Sequence, residues 1–137
     1  MANEKSTRLW FAKARADLKA ATYLNPSEAD FFGAIVFHSQ QCAEKAIKGF
    51  LTFHNIRVFK THDMNKLIEN LLRIYPDFSE KYPALSEFTL YAVEYRYPDF
   101  EHRLPSLTST RVSDAVNVAK NLFEDLSSRV GEPLPLK

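Results

Sequence analysis

Residues 28–54 carry the pattern that most constrains this chain. At about 100° per residue, Phe32, Ile35, Ser39, Cys42, Ala43, Ala46, Phe50 and Phe53 fall on one broad face, and Val36, Ile47 and Leu51 widen it. A helix running from about Glu28 to His54 and apolar over so much of its circumference has to be packed on several sides. Ala43, Ala46 and Gly49 are small and allow another helix a close approach. The segment is therefore the expected central spine of a helical protein. Its remaining face collects His38, Gln41, Glu44, Lys45 and Lys48. An imidazole, an amide and cations within about three turns differ from the Glu/Lys mixture of an ordinary solvated face.

The rest of the chain reads as four more helical segments joined by short links. The first spans about Ser6 to Tyr23, with Trp10, Ala14, Leu18 and Ala21 at helical spacing, Phe11 and Leu24 flanking, and Asn25-Pro26-Ser27 as its stop. After the spine, Thr61 is placed to cap a helix with Asp63 in its first turn. Met64, Leu67, Ile68, Leu71, Leu72 and Tyr75 form its stripe, and Pro76 ends it. Pro83 suits the first turn of the next helix, whose stripe is Leu85, Phe88, Ala92 and Tyr95 and which Pro98 stops or bends. The last begins near residues 108–110 and carries Val112, Ala115, Val116, Ala119, Leu122, Phe123 and Leu126. Gly131 fits its end, and Pro133 and Pro135 mark a frayed tail. No segment alternates as a strand would. An all-α antiparallel bundle is predicted.

Composition narrows the function classes. A chain of 137 residues, 45% hydrophobic, is most simply one domain, with its core at about residues 7–130. Three glycines are too few for a hairpin-rich β fold. A net charge of +1 argues against bulk electrostatic binding of DNA, though not against a local basic patch. The single cysteine, Cys42, excludes an intrachain disulfide, and no Cys/His zinc spacing exists. The polar N-terminus lacks a signal core, and no apolar run approaches the roughly 18–20 residues that span a bilayer. A cytoplasmic protein without a metal or cofactor is the expectation.

Several residues break the bland pattern. Asp17 lies on the stripe of the first helix between Ala14 and Ala21. It is either wet at the stripe edge or buried with a partner, for which Lys48 or Arg96 are candidates. Arg96 and His102 have five residues between them, and a bend at Tyr97-Pro98 would bring Asp99 and His102 to the same end. Arginine grips a phosphate with two parallel hydrogen bonds, and histidine moves a proton near neutral pH. That pair suffices for RNA cleavage with the 2′-hydroxyl as internal nucleophile. The plainer alternative is an ion pair of Arg96 with Glu94 or Asp99 and an exposed loop His102. His62 reads as part of a helix start, Cys42 as core, and Lys45 and Lys48 as either anion-binding or simply solvated.

The ordered set Phe37-His-Ser-Gln-Gln-Cys-Ala-Glu-Lys-Ala-Ile-Lys-Gly-Phe-Leu51, Lys60-Thr-His-Asp-Met64 and Tyr-Arg-Tyr-Pro-Asp within residues 91–99 resembles the HEPN family (higher eukaryotes and prokaryotes nucleotide-binding), in its prokaryotic stand-alone form. The likeness extends from about Leu9 to Leu126. It implies an up-and-down four-helix bundle with an additional short helix, usually a homodimer. It also implies pairing with a minimal nucleotidyltransferase, often as a toxin–antitoxin module, and in many members a metal-independent endoribonuclease with an Arg-x(4–6)-His motif. Arg96 and His102 fit that spacing and are the catalytic candidates. His38, Gln41, Glu44, Lys45, Lys48 and Asp99 are candidates for holding a nucleotide or RNA phosphate. Tyr97-Pro98 departs from the usual nuclease form, which has a polar residue after the arginine and the histidine on a continuing helix. A non-catalytic nucleotide-binding or partner-docking module is the alternative, and a plain dimerisation bundle a third reading.

Overall fold

The apolar stripes fold as helices over most of the described chain. A computed structural model describes residues 3–58, 64–85 and 107–131, and all regular structure in them is helical. In chain order the helices are α1 (Glu4–Tyr23), α2 (Phe32–Phe53), α3 (Met64–Leu71), α4 (Phe78–Lys81) and α5 (Ser109–Val130). None of the described helices is long and apolar enough to cross a membrane.

On α1 the buried positions are Thr7, Phe11, Ala14, Leu18 and Ala21. Ala14, Leu18 and Ala21 are buried as expected, but at the start of the stripe Phe11 is in the core and Trp10 only half-buried. The link to α2 also differs from prediction. Asn25 accepts the Ser27 N–H on its side chain and the Glu28 N–H on its carbonyl. A 3₁₀ turn, Ala29–Phe31, then precedes α2, which starts at Phe32 rather than near Glu28.

Helix α2 is the spine. From Ile35 to Leu51 it is buried on almost every side, with only Phe37, His38, Gln41 and Lys45 half-buried. Phe53, predicted on the apolar face, is 41% exposed at the helix end. Close approach by α1 is enforced at Gly49, where a Cβ atom would sit 2.8 Å from the Phe11 ring. Since Trp10 and Phe11 meet Lys48 and Gly49 while Asp17 meets His38 and Lys45, the two helices run antiparallel. Helix α5 closes the core on the other side. Phe11 and Phe123 pack edge to face at 6.1 Å, a contact contributing about 0.5–1.5 kcal/mol beyond its buried area.

The ends of these helices follow local chemistry. Thr108 caps α5, its Oγ accepting from the Arg111 N–H at 3.1 Å, and Gly131 ends it with φ +76°. At the end of α2, Asn55 takes the left-handed conformation (φ 62°). Its N–H bonds to the Thr52 carbonyl, and the Ile56 N–H reaches the Leu51 carbonyl at 2.9 Å. That is a Schellman closure with asparagine in the position usually held by glycine.

The middle of the chain departs most from expectation. Helix α3 stops at Leu71 instead of running to Pro76, and a turn at residues 72–74 delivers Tyr75 to the core. Pro76 disfavours a helical Tyr75 and lacks the N–H that would continue the ladder. The short α4 was not predicted; its anchor is Phe78, fully buried. Pro83 and Ala84 form a turn, and Leu85 is helical and buried. The predicted cap Thr61 and the stripe residues Phe88, Ala92 and Tyr95 lie outside the described residues.

Candidate functional site

The polar residues of α2 sort into two hydrogen-bonded groups. The first centres on Asp17, which α1 presents to α2 with its side chain 12% exposed. Asp17 Oδ1 meets His38 Nδ1 at 2.9 Å, and Oδ2 accepts from Lys45 Nζ at 2.6 Å. The partners predicted for Asp17 were Lys48 or Arg96. The antiparallel crossing brings His38 and Lys45 to it rather than Lys48, because residue 17 lies level with the middle of α2; Arg96 lies outside the described residues. A carboxylate only accepts, so the Nδ1 contact places the hydrogen on that nitrogen. The His38 side chain remains 33% exposed.

The second group is buried except for Gln41, which is half-buried. Lys48 Nζ donates to Glu44 Oε2 at 3.0 Å, Gln40 Nε2 to Glu44 Oε1 at 3.0 Å, and Gln41 Nε2 to Gln40 Oε1 at 2.7 Å. Gln40, Glu44 and Lys48 are 2%, 1% and 4% exposed. The Lys48 ammonium also lies 5.3 Å from the Trp10 ring centre, a cation–π contact. The reading of Lys48 as part of a solvated face is therefore overturned: α1 covers it. Of the two lysines, Lys45, with a quarter of its side chain exposed, is the one an anion can reach.

Sequence reasoning thus gathers His38, Gln41, Glu44, Lys45 and Lys48 on one helix, and the structure divides them between a half-open and a closed network. Arg96, Asp99 and His102 lie outside the described residues, as do His62 and Glu94. Cys42 is fully buried; burial, with the nearby Asp17 carboxylate adding to it, pushes its thiol far above the usual range, as suits a core residue rather than a nucleophile. No group of three His, Cys, Asp or Glu side chains among the described residues is placed to hold a metal ion.

The family model for the HEPN domain matches residues 7–129. This chain belongs to the HEPN family. It is 26% identical over 147 aligned residues to a protein named "Putative toxin MJ1304" from Methanocaldococcus jannaschii, an alignment covering 98% of this chain and 95% of that one. No solved structure matches the chain.

Inside the HEPN span lies a further polar cluster that sequence reasoning missed. Tyr75 and Tyr82 both donate to Asp125 Oδ2 at 2.7 Å, Lys81 Nζ stands 3.5 Å from the same oxygen, and Arg129 Nε donates to Oδ1 at 2.8 Å. The Arg129 guanidinium lies 3.9 Å from the Tyr75 ring centre. Burial alone would raise the Asp125 carboxyl; the bonds from Arg129, Tyr82 and Tyr75 outweigh it and bring it from 3.8 to about 2. Burial and the bond to Asp125 push the Tyr82 phenol the other way, upward. With every Asp125 contact satisfied internally, the cluster ties the α3–α4 corner to α5 in the HEPN bundle. The one local signal for it is the Asp125/Arg129 spacing of one helical turn; its tyrosines lie 43 and 50 residues away.

Proposed function

We propose that this HEPN protein is a toxin-type endoribonuclease that cleaves RNA without a divalent metal. The observation that carries the reading is the Arg96–His102 spacing within a chain that matches the HEPN model over residues 7–129. The likeness to a protein named as a toxin supports the same reading. Arg96 holds the scissile phosphate by two parallel hydrogen bonds and stabilises charge on the phosphorane. The ribose 2′-oxygen bonds to the adjacent phosphorus while its proton passes to a base. The bond from phosphorus to the 5′-oxygen then breaks, and that oxygen takes a proton from an acid. His102 performs one of these transfers, and its copy across a homodimer cleft supplies the other. The products are a 2′,3′-cyclic phosphate and a 5′-hydroxyl.

The α2 networks support this chemistry from the side. Lys45, His38, Gln41 and Asp99 contact flanking phosphates or the nucleotide. Glu44 and Lys48 fix the helix that carries the first three. The whole chain acts as one domain in the cytoplasm, and a minimal nucleotidyltransferase is the antitoxin partner. Incubation of RNA with purified protein in EDTA tests the reading: cleavage by the wild type and its loss in Arg96→Ala are expected.

A second reading has its own observation. Tyr97-Pro98 directly follows Arg96, and proline disfavours a helical residue before it. A non-catalytic module that binds nucleotides or docks the nucleotidyltransferase then fits better. Nucleotide or partner binding without cleavage would favour it.

A further inference from the structure

Helix α1 carries a second apolar stripe on the side away from the core. Its buried residues, Thr7, Phe11, Ala14, Leu18 and Ala21, lie on the side that packs against α2 and α5. At about 100° per residue, Leu9, Ala12, Ala16, Ala20 and Tyr23 fall in a narrow band on the opposite side. A surface helix ordinarily sets charged and polar residues along this line. Here Leu9 is 52% and Tyr23 89% exposed, Ala12 and Ala16 are exposed, and Ala20 is half-buried. Leu9, Ala12, Ala16 and Tyr23 also keep the seven-residue spacing of a helix-pairing seam. Alanines along its middle let a second helix come close. The two large side chains bound the seam about 20 Å apart.

The charges beside this seam have one sign. Lys5 lies in line with it, and Arg8 and Lys13 flank it on either side, all three exposed. Of the acidic residues of α1, Asp17 is held by His38 and Lys45, and Glu4 stands 4.0 Å from Arg8 in the first turn. A second copy docked face to face would set these cations beside their own counterparts, and such like-charge contacts cost affinity. A helix with acidic edges meets them with opposite charge. The apolar line between the flanks fits the seam of an amphipathic helix.

We propose that the outward face of α1 is a docking surface for an acidic amphipathic helix of another protein. Small and apolar residues of that helix sit against Ala12, Ala16 and Ala20, between Leu9 and Tyr23. Carboxylates along its edges meet Lys5, Arg8 and Lys13. The surface uses neither Arg96 nor His102 and stands whether or not the protein cleaves RNA.

Three fluorescein-labelled peptides test it. Each has three heptads and the same leucine and alanine seam, with glutamate, glutamine or lysine along the edges. In anisotropy titrations with the full-length protein, the glutamate peptide is expected to bind saturably and about tenfold more tightly than the glutamine peptide, the yield of a few exposed ion pairs. The lysine peptide is expected not to bind. Ala16→Arg fills the middle of the seam while keeping the charge positive, and is expected to weaken the glutamate peptide at least about tenfold. Position 16 is exposed, so circular dichroism should show the helices unchanged. Sedimentation equilibrium distinguishes a second copy: self-association of the wild type that Ala16→Arg abolishes assigns the face to another copy of the chain and overturns the proposal. Absence of binding by the glutamate peptide, equal binding of all three peptides, or unchanged affinity in Ala16→Arg overturns it as well.

Discussion

Glu44 and Lys48 stand one turn apart on α2 and form an ion pair at 3.0 Å with side chains only 2% and 6% exposed. On a solvated helix the same pair would contribute about 0.3–0.5 kcal/mol. Under α1 its removal has a different cost, because the surviving partner is left charged and dry. Lys48→Met is expected to destabilise the protein by about 3–5 kcal/mol. The double variant Glu44→Gln/Lys48→Met should recover most of that loss. Urea unfolding of the two singles and the double, compared as a cycle, measures the coupling; additive losses would mean that the pair is not buried as described.

Gly49 sets the distance between α1 and α2. A methyl group there would meet the Phe11 ring at 2.8–2.9 Å, and Phe11 is itself 1% exposed with Phe123 behind it. Overpacking of this kind costs about 1–3 kcal/mol, against which alanine gains up to about 1 kcal/mol in helix propensity. Gly49→Ala is therefore expected to lower stability by about 1–2 kcal/mol, seen as a lower urea midpoint with an unchanged slope.

The Asp125 cluster gives the bundle a pH dependence of known sign. The folded carboxyl is held at about 2, below its ordinary 3.8. A depressed carboxyl stabilises the fold above the unfolded value and loses that contribution as pH falls from about 3.8 through about 2. With 13% of the side chain exposed, the contribution is about 1–2 kcal/mol. Asp125→Asn should be less stable than the wild type by at least this amount at pH 6, and the gap should narrow between pH 4 and pH 2. Thermal melts across that range check it.

The long helices were legible because their apolar stripes are long enough to show a period. Gly131 was legible as a helix end because that chemistry is local, and the start of α5 was placed near residues 108–110, where Thr108 caps it. The burial of Glu44 and Lys48 was not, since a Glu/Lys pair one turn apart has the same signature on a wet helix; only the arrival of α1 at Gly49 decides between them. Asp17 stood out by its place on the stripe, but its partners depended on how two helices cross. Helix α4 is too short to show a period between Pro76 and Pro83, and the Asp125 cluster joins residues from distant parts of the chain. Arg96 and His102 were found by spacing and by family resemblance, and their roles rest on those alone.

The chemistry proposed for Arg96 and His102 is tested most directly by the ends of any RNA fragments produced. A 5′-labelled RNA incubated with purified protein in EDTA should yield fragments ending in 2′,3′-cyclic phosphate, with 5′-hydroxyl partners. His102→Ala should slow their appearance at least about 100-fold, the lower range for a general acid or base. Intact RNA with the wild type, or cleavage unchanged in His102→Ala, would contradict the account.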